Sequence, residues 1–329
     1  MTIYLDAMGG DNAPLSTLRG AALAVRELNV PVTLVGDEPM LRDLMQKENI
    51  SLDKLSFVDA KEVITMEEEP AAAVRRKKDS SIVVGCSLVK ENPGSAFVSA
   101  GSTGAVLAGA LFYTGRLKGV SRPALATVLP GEKPVLLIDN GANAECKPEY
   151  LVQFAQMGAA YMKAVKGVAE PKVALVNIGT EEVKGTPLYK EAHQLLKDSD
   201  ISFVGNLETK ELLYGAADVA VCDGFTGNII LKTLEGAFKY TLSIVKDVFY
   251  MSGKNKLAAA VIKKDLAAKK DSLDPNAMGG VPLLGVKGCV IKAHGSSGEV
   301  AIKNAVRQAV DFLERDALGK MSAAVGAEK

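Results

Sequence analysis

Three segments of the chain have a composition that suits the binding of phosphate groups. Each is a run of glycine and small polar residues between an apolar strand pattern and a helical pattern, at residues 99–104, 223–228 and 294–298. The first N–H groups of a helix are unpaired and carry partial positive charge, so such a junction attracts anions. Any one junction could be a helix cap with turn glycines. Three in one chain favour a site for anionic ligands, with donors at Ser102, Thr103, Asn228 and Ser296.

His294 is the main candidate for a catalytic group, because it lies in the third of these loops, close to Lys292. A histidine there could protonate a leaving group or donate a hydrogen bond to a bound anion. A purely structural hydrogen bond is the alternative. Lys184, just before Gly185, could neutralise phosphate charge, unless it is an exposed loop lysine. His193 lies in a helical pattern among polar residues, which predicts a solvated side chain.

Carboxylates end several of the predicted strands, at Asp6, Asp139 and Asp223, with Asp11 nearby. Oxygen ligands of this kind could hold Mg²⁺. Acids at such positions more often cap loops or hold lysines in place. That interpretation is favoured, and no metal is predicted.

The four cysteines, Cys86, Cys146, Cys222 and Cys289, form no CxxC pair. Free thiols in a reducing cytosol are therefore predicted, and a zinc site is not. Cys146 and Cys222 could form acyl thioesters. Neither has a histidine nearby in the sequence, so buried free thiols are the favoured interpretation.

Nucleotide and nucleic-acid ligands are not indicated. Residues 280–285 have P-loop spacing but are followed by Val286 and Lys287, and no G-x-G-x-x-G follows a strand. No ATP, NAD or other cofactor is therefore predicted. The 39 basic and 39 acidic residues cancel, which argues against a general nucleic-acid binder. The N-terminus opens as a strand without a secretory signal pattern, so a cytoplasmic protein is expected.

Short apolar runs alternate with helical patterns along most of the 329 residues. Strand patterns lie at residues 3–6, 32–35, 55–58, 96–99, 125–129, 135–139, 173–177, 202–204, 219–222 and 289–292. Helical patterns such as 14–28, 149–165 and 187–197 lie between them. This alternation predicts an α/β fold with a largely parallel sheet and helices on both faces. No linker is visible, so residues 1–329 are predicted to form a single compact catalytic domain.

Residues 225–271 have the pattern of two consecutive helices joined near residues 252–255, which predicts a helical hairpin within this domain. Near the turn, lysines edge an apolar group formed by Phe249, Tyr250, Leu257 and Val261. This composition is typical of a helix that lies on an anionic membrane surface. Packing of the apolar residues in a dimer interface, with solvated lysines, is the alternative.

A run of positive charge forms a second candidate binding surface, at Arg75, Arg76 and Lys77, continued by Lys78. Most such runs are solvated faces. Contact with an acidic protein would give this one a function.

Segments along essentially the whole chain resemble the bacterial acyl-acyl carrier protein:phosphate acyltransferases (the PlsX family). The motifs are LDAMGGDNAP at 5–14, VRRKKDSS at 74–81, SAGSTGA at 99–105, RPA at 122–124, GAN at 141–143, NIGTE at 177–181, DGFTGN at 223–228 and KAHGSS at 292–297. The opening motif and the loops at 223 and 294 are the most specific of these.

The resemblance implies an α/β/α sandwich similar to the isocitrate or isopropylmalate dehydrogenase and phosphotransacetylase folds. It implies an enzyme that converts long-chain acyl-acyl carrier protein and inorganic phosphate into acyl phosphate and free carrier protein, for phospholipid synthesis. A homodimer in peripheral contact with the cytoplasmic membrane is also implied. Its product would pass to a membrane-bound glycerol 3-phosphate acyltransferase.

The motifs and the resemblance predict three sets of functional residues. The predicted catalytic residues are His294, Asn228 and Lys184. The predicted substrate- and phosphate-binding residues are Asp6, Gly10, Ser102, Thr103, Asn143, Asp223, Thr226, Lys292 and Ser296. The carrier protein is predicted to dock on Arg75, Arg76 and Lys77. Three other functions stay open: a phosphotransacetylase-like enzyme acting on acyl-coenzyme A, a metal-dependent decarboxylating dehydrogenase, and a non-catalytic membrane scaffold.

Overall fold

The computed structural model describes residues 1–51, 53–262 and 279–326. In chain order, strands β1 to β11 of this part are Ile3–Asp6, Val32–Gly36, Leu55–Asp59, Ala96–Ser99, Ala124–Leu129, Val135–Ile138, Val173–Asn177, Phe203–Glu208, Val219–Val221, Gly280–Leu284 and Cys289–Ala293. They form one sheet in the order β3-β2-β1-β4-β11-β10-β5-β6-β9-β7-β8. Every predicted strand coincides with one of these, and the largest boundary difference is at β8, which extends to Glu208.

Helices separate most of the strands. In chain order, α1 to α8 are Leu15–Leu28, Glu38–Lys47, Pro70–Arg76, Ser81–Glu91, Thr103–Gly109, Pro148–Val165, Pro187–Lys197 and Gly224–Tyr250. Helix α9 covers residues 253–262, and α10 and α11 are Glu299–Glu314 and Ala317–Gly326. A π-helical turn, Ala110–Thr114, continues α5, and a 3₁₀ helix spans Thr209–Tyr214.

The sheet is largely parallel, as predicted, but its centre is antiparallel. Strand β10 pairs antiparallel with both β11 and β5, and β5 pairs antiparallel with β6. Since these three pairings separate the two parallel halves, β4 and β11 run opposite to β6 and β9. The sequence did not predict β10, because Gly280 and Pro282 weaken a strand pattern.

The strands are buried on both faces, which explains why their apolar runs are nearly continuous. Successive residues of one strand enter different clusters: Leu5 belongs to a cluster with residues of α1, α6 and α10, whereas Tyr4 belongs to one with residues of α4 and α5. Likewise, Val98 belongs to the first cluster and Phe97 to the second. A third cluster, around Leu137, packs under the start of α8.

Helices α8 and α9 follow each other within the segment predicted to be a hairpin, and the hairpin itself stays a prediction. Of α8, Gly224, Gly227 and Ile230 are buried, Leu231 and Leu234 are partly buried against the third cluster, and most residues after 235 are exposed. The portion of the hairpin beyond residue 262 lies outside the described residues. Among the described helices, none combines the length and the hydropathy needed to cross a bilayer.

Candidate active site

The three predicted anion loops line one cavity of about 550 Å³. Gly101 and Thr103 contribute from the loop after β4, Gly224 and Asn228 from the loop after β9, and residues 294–296 from the loop after β11. A fourth wall comes from the loop after β6, at Asn140, Gly141 and Ala144. The cavity therefore receives strand ends from both halves of the sheet, although these halves run in opposite directions.

The predicted catalytic and binding residues, apart from Lys184, fall into two groups in the structure. Thr103, Asn228, Lys292, His294 and Ser296 line the cavity. The following residues do not line it, and most of them support the loops that do: Asp6, Gly10, Ser102, Asn143, Asp223 and Thr226.

Buried aspartates hold the cavity loops in place, which agrees with their favoured interpretation. Asp139 accepts hydrogen bonds from the backbone N–H groups of residues 125, 141, 142 and 143 and from the side chain of Asn143. Asp6 accepts from Met8 N at 3.0 Å and from Ser99 Oγ at 2.6 Å. Burial raises the pKa of both carboxyl groups, while these hydrogen bonds oppose the rise.

Asp223 supports the start of α8, where Asn228 is located. Its carboxylate caps the helix by accepting from Thr226 N at 2.8 Å, and it also accepts from Thr226 Oγ1 at 2.9 Å. The hydroxyl of Tyr189, on α7, donates to the same carboxylate at 2.6 Å. Tyr189 is thus a supporting residue that the sequence did not indicate, because its partner is distant in the chain.

Residues of the motif at 5–14 stabilise the loop that carries His294. Gly10 has a φ of 108° and packs against Gly295 O, so a side chain would be strained at this position. Asp11 N donates to Gly295 O at 2.8 Å, and Asn12 Nδ2 donates to Ser296 O at 3.2 Å.

The Nδ1 atom of the His294 ring faces the loop that carries this residue. The backbone N–H of Ser296 donates to Nδ1 at 3.2 Å, and Ser296 Oγ lies 2.8 Å from the same atom. The neutral ring therefore carries its proton on Nε2. Burial, and next the charge of Lys232, lower the pKa of His294, so the ring is neutral at pH 7. Such a ring donates a hydrogen bond through Nε2.

Lys292 places a buried positive charge in the cavity wall, since only 7% of the residue is exposed. Its Nζ donates to the backbone oxygens of Ala293 and, at 3.5 Å, of Ala100. Burial lowers the pKa of this amine to about 8, against the opposing fields of Asp6 and Asp11. An anion in the cavity would be attracted to this charge.

One face of α8 forms a wall of the cavity that sequence reasoning largely missed. Its side chains recur at helical spacing: Phe225, Asn228, Leu231, Lys232, Glu235 and Lys239. Lys232 Nζ donates to Glu235 at 2.8 Å. The spacing from Asn228 along the predicted helix was the signal that could have identified Lys232 and Glu235.

Lys184 is exposed and does not line the cavity. Its backbone oxygen accepts from Asn177 Nδ2 at 3.2 Å, which anchors the loop after β7. Its proposed contact with phosphate stays a prediction.

The prediction for His193 was wrong. This residue is only 5% exposed, its Nδ1 lies 3.0 Å from Asn206 Oδ1, and its ring packs edge-on against Phe203. Polar neighbours in the sequence suggested a solvated helix face, whereas β8 covers this face in the fold.

The cysteines have no features of a nucleophile. Cys86, Cys222 and Cys289 are buried, and Cys146 is partly buried. Burial raises the pKa of the Cys146 thiol to about 12, and burial raises that of Cys222 as well. The favoured interpretation of buried thiols is thus supported for all but the partly buried Cys146.

The cationic run is partly neutralised by Glu68. Arg76 and Lys77 each form an ion pair with this carboxylate, both at 2.6 Å. Arg75 instead lies over the ring of Phe112, 4.9 Å from its centroid.

At the hairpin tip, three of the four predicted apolar residues are exposed: Tyr250, Leu257 and Val261. Phe249 is half-buried. Lys256 Nζ lies 5.7 Å from the ring centroid of Tyr250.

Comparison with known proteins gives a consistent family. A family model described as "Fatty acid synthesis protein" matches residues 1–320. The relative named phosphate acyltransferase from Alkaliphilus oremlandii is 48% identical over 326 residues, 99% of this chain and 97% of the relative. The phosphate acyltransferase from Clostridioides difficile is 46% identical over 314 residues, 95% of this chain and 92% of the relative.

Solved structures support the fold alone. The EutD phosphotransacetylase from Staphylococcus aureus has a TM-score of 0.61 at 19% identity, covering 96% of this chain and 94% of its own. The 4-hydroxythreonine-4-phosphate dehydrogenase from Klebsiella pneumoniae has a TM-score of 0.57 at 14% identity, covering 95% and 99%. The predicted likeness to the phosphotransacetylase fold is thereby confirmed.

Proposed function

Because the chain belongs to the family of fatty acid synthesis proteins, we propose that it is a phosphate acyltransferase whose acyl donor is long-chain acyl-acyl carrier protein. The products are acyl phosphate and free carrier protein, which supply phospholipid synthesis. The observation that carries the proposal is the convergence of three anion-binding loops, Lys292 and His294 on one cavity.

The reaction is a direct displacement. A phosphate oxygen attacks the thioester carbonyl, the new C–O bond forms, and the C–S bond breaks with its electron pair leaving on sulfur. Phosphate is itself the nucleophile, so no acyl-enzyme intermediate is needed. The protein must hold the phosphate beside the carbonyl and stabilise the negative charge that develops on the carbonyl oxygen.

The cavity residues suit these tasks. Lys292, the loop N–H groups, Thr103 and Ser296 hold the phosphate. Neutral His294 donates its Nε2 proton as a hydrogen bond to the developing oxyanion, with Asn228 as the second polar group from α8. The neutral ring favours this role over proton donation to the leaving thiolate.

The test is turnover of purified protein with palmitoyl-acyl carrier protein and inorganic phosphate. We expect palmitoyl phosphate, trapped with hydroxylamine, to appear in equal amount to free carrier protein. Carrier release that proceeds equally well without phosphate would show a thioesterase and overturn the proposal.

The similarity in fold to phosphotransacetylases supports a second candidate function, an enzyme that acts on acyl-coenzyme A. The ratio of kcat/KM for palmitoyl-coenzyme A to that for palmitoyl-acyl carrier protein decides between them. A ratio above one would favour coenzyme A as the carrier.

We also propose a homodimer that associates with membranes through its hairpin. Support for the dimer comes from exposed apolar side chains along α8, at Phe225, Ile229, Tyr240 and Ile244. Support for membrane contact comes from the exposed tip residues Tyr250, Met251, Leu257 and Val261, since exposed apolar groups of this density mark contact surfaces. A membrane-bound glycerol 3-phosphate acyltransferase would then receive the product.

A further inference from the structure

An exposed aromatic ring with an arginine over it lies at the far end of the helical stretch that begins at the cavity. Phe112, on the π-helical turn after α5, is 48% exposed. Three exposed cations belong to the same region: Arg75, Arg116 and Lys287. We define these four residues as the Phe112 surface.

The Phe112 surface is held together by contacts between distant segments. The guanidinium of Arg75 lies 4.9 Å from the Phe112 ring centroid, and the neighbouring Tyr113 OH donates to Val74 O at 3.2 Å. Lys287 N donates to Gly115 O at 2.8 Å, which joins the loop after β10 to the end of the π-helical turn. The surface is therefore a built feature of the fold and not a flexible tail.

The three cations carry charge that the protein itself does not neutralise. Within the described parts of the chain, no carboxylate lies within 4.0 Å of the charged groups of Arg75, Arg116 or Lys287. By contrast, Arg76 and Lys77 are both paired with Glu68. Protein interfaces commonly have an apolar centre and a charged rim. A half-exposed phenyl ring near unpaired cations has this composition, and its positive charge suits an acidic protein partner.

The Phe112 surface is also within reach of the cavity. Thr103, at the start of α5, lines the cavity, and Phe112 follows on the same helical stretch. At about 1.5 Å per residue, the two positions are separated by roughly 13 Å along the axis. Helix α3 runs beside it, since Pro70 contacts Gly104 near the cavity and Arg75 contacts Phe112 at the far end.

We propose that the acyl carrier protein docks on the Phe112 surface, with Phe112 as the apolar anchor and Arg75, Arg116 and Lys287 as the cations that meet its acidic side chains. The inference rests on the proposed function, because it takes the acyl donor to be an acidic carrier protein. It replaces the docking site predicted from the sequence, Arg75 to Lys77, with one that retains only Arg75. The acyl group would be delivered on the carrier's flexible arm, along α3 and α5, to the cavity.

The test compares the variants Arg75→Glu, Lys287→Glu and Phe112→Ser with Lys190→Glu, an exposed lysine on α7 in the other half of the sheet. Steady-state kinetics with palmitoyl-acyl carrier protein and phosphate give both KM values and kcat. We expect each of the three variants to raise KM for the carrier substrate about fivefold or more, with kcat and the KM for phosphate within about twofold of wild type. Lys190→Glu should have the kinetic constants of wild type. Added salt should reduce the difference in KM for the carrier substrate between wild type and the three variants.

The results distinguish a failure of the proposed docking surface from a failure of the proposed function. Wild-type KM values for the carrier substrate in all three variants, or the same increase in Lys190→Glu, would overturn the docking surface. A dimer that dissociates in Phe112→Ser, measured by sedimentation, would assign the surface to a second copy of the chain instead. A wild-type enzyme that does not turn over acyl-acyl carrier protein would count against the proposed function itself.

Discussion

At the scale of single residues, the proposed mechanism uses two groups of unlike charge state, the neutral imidazole of His294 and the buried ammonium of Lys292. His294 can donate through Nε2 because the Ser296 N–H occupies Nδ1. Asn228 lines the same cavity from the start of α8. Neither side chain contributes to the core, so both can be removed without a large loss of stability.

We expect His294→Ala and Asn228→Ala to lower kcat by at least about tenfold each, because each removes a hydrogen-bonding group next to the developing charge. Thermal melting should remain within a few degrees of wild type, since both residues are exposed. Full turnover in both purified variants would show that the reaction takes place elsewhere.

Lys292 should give phosphate binding a pH dependence. Burial lowers its pKa to about 8, so the amine is charged below that pH and loses its charge as pH rises through it. We therefore expect KM for phosphate to increase between pH 7 and pH 9. In Lys292→Met the same profile should be flat, at a weaker affinity throughout. A wild-type KM that does not change over this range would mean that the amine does not contact phosphate.

At the scale of elements, the sequence predicted what local patterns encode. The apolar runs predicted every strand except β10, and the small polar loops predicted three walls of the cavity. Strand β10 was missed because Gly280 and Pro282 give no local strand signal, and its pairing with β5 and β11 determines its conformation. His193 and Tyr189 were missed for a related reason, because their partners Asn206 and Asp223 are brought to them only by the fold.

The bond between Tyr189 and Asp223 should matter for both stability and catalysis, since it links α7 to the start of α8. We expect Tyr189→Phe to lower the free energy of unfolding by roughly 1 to 3 kcal/mol, the range for a buried hydrogen bond to a charged group. It should also reduce kcat several-fold, because Asn228 lies on the first turns of α8.

Urea unfolding and steady-state kinetics on the same preparation measure both effects. Tyr214→Phe, which changes an exposed tyrosine at the end of the 3₁₀ helix Thr209–Tyr214, is the control and should resemble wild type. Unchanged stability and kcat in Tyr189→Phe would show that the capping bonds from Thr226 suffice to hold α8 in place.

At the scale of the whole molecule, zero formal net charge conceals local separation of charge. Lys292 is buried in the cavity wall, Arg75 lies over Phe112 with Arg116 and Lys287 on the segments that follow, and Lys256 lies near Tyr250 at the exposed apolar tip. We propose that these regions bind phosphate, the acidic carrier protein and an anionic membrane, respectively. Since Tyr250, Leu257 and Val261 are exposed, a membrane contact at the tip would not need to displace core residues.

The hairpin tip should therefore bind anionic vesicles through exposed apolar side chains and nearby charge. Leu257 and Val261 are 72% and 82% exposed, and Lys254 and Lys256 are close to them in the sequence. Burying one such side chain in the bilayer interface contributes on the order of 1.5 kcal/mol, so Leu257→Glu and Val261→Glu should each weaken binding about tenfold or more. Val204→Glu places the same change on strand β8 and should bind like wild type. Co-sedimentation with vesicles that contain phosphatidylglycerol measures the affinity, and binding should also weaken with added salt. If both tip variants sediment like wild type, or if none of the proteins binds, the exposed tip has another role, such as contact with a second copy of the chain.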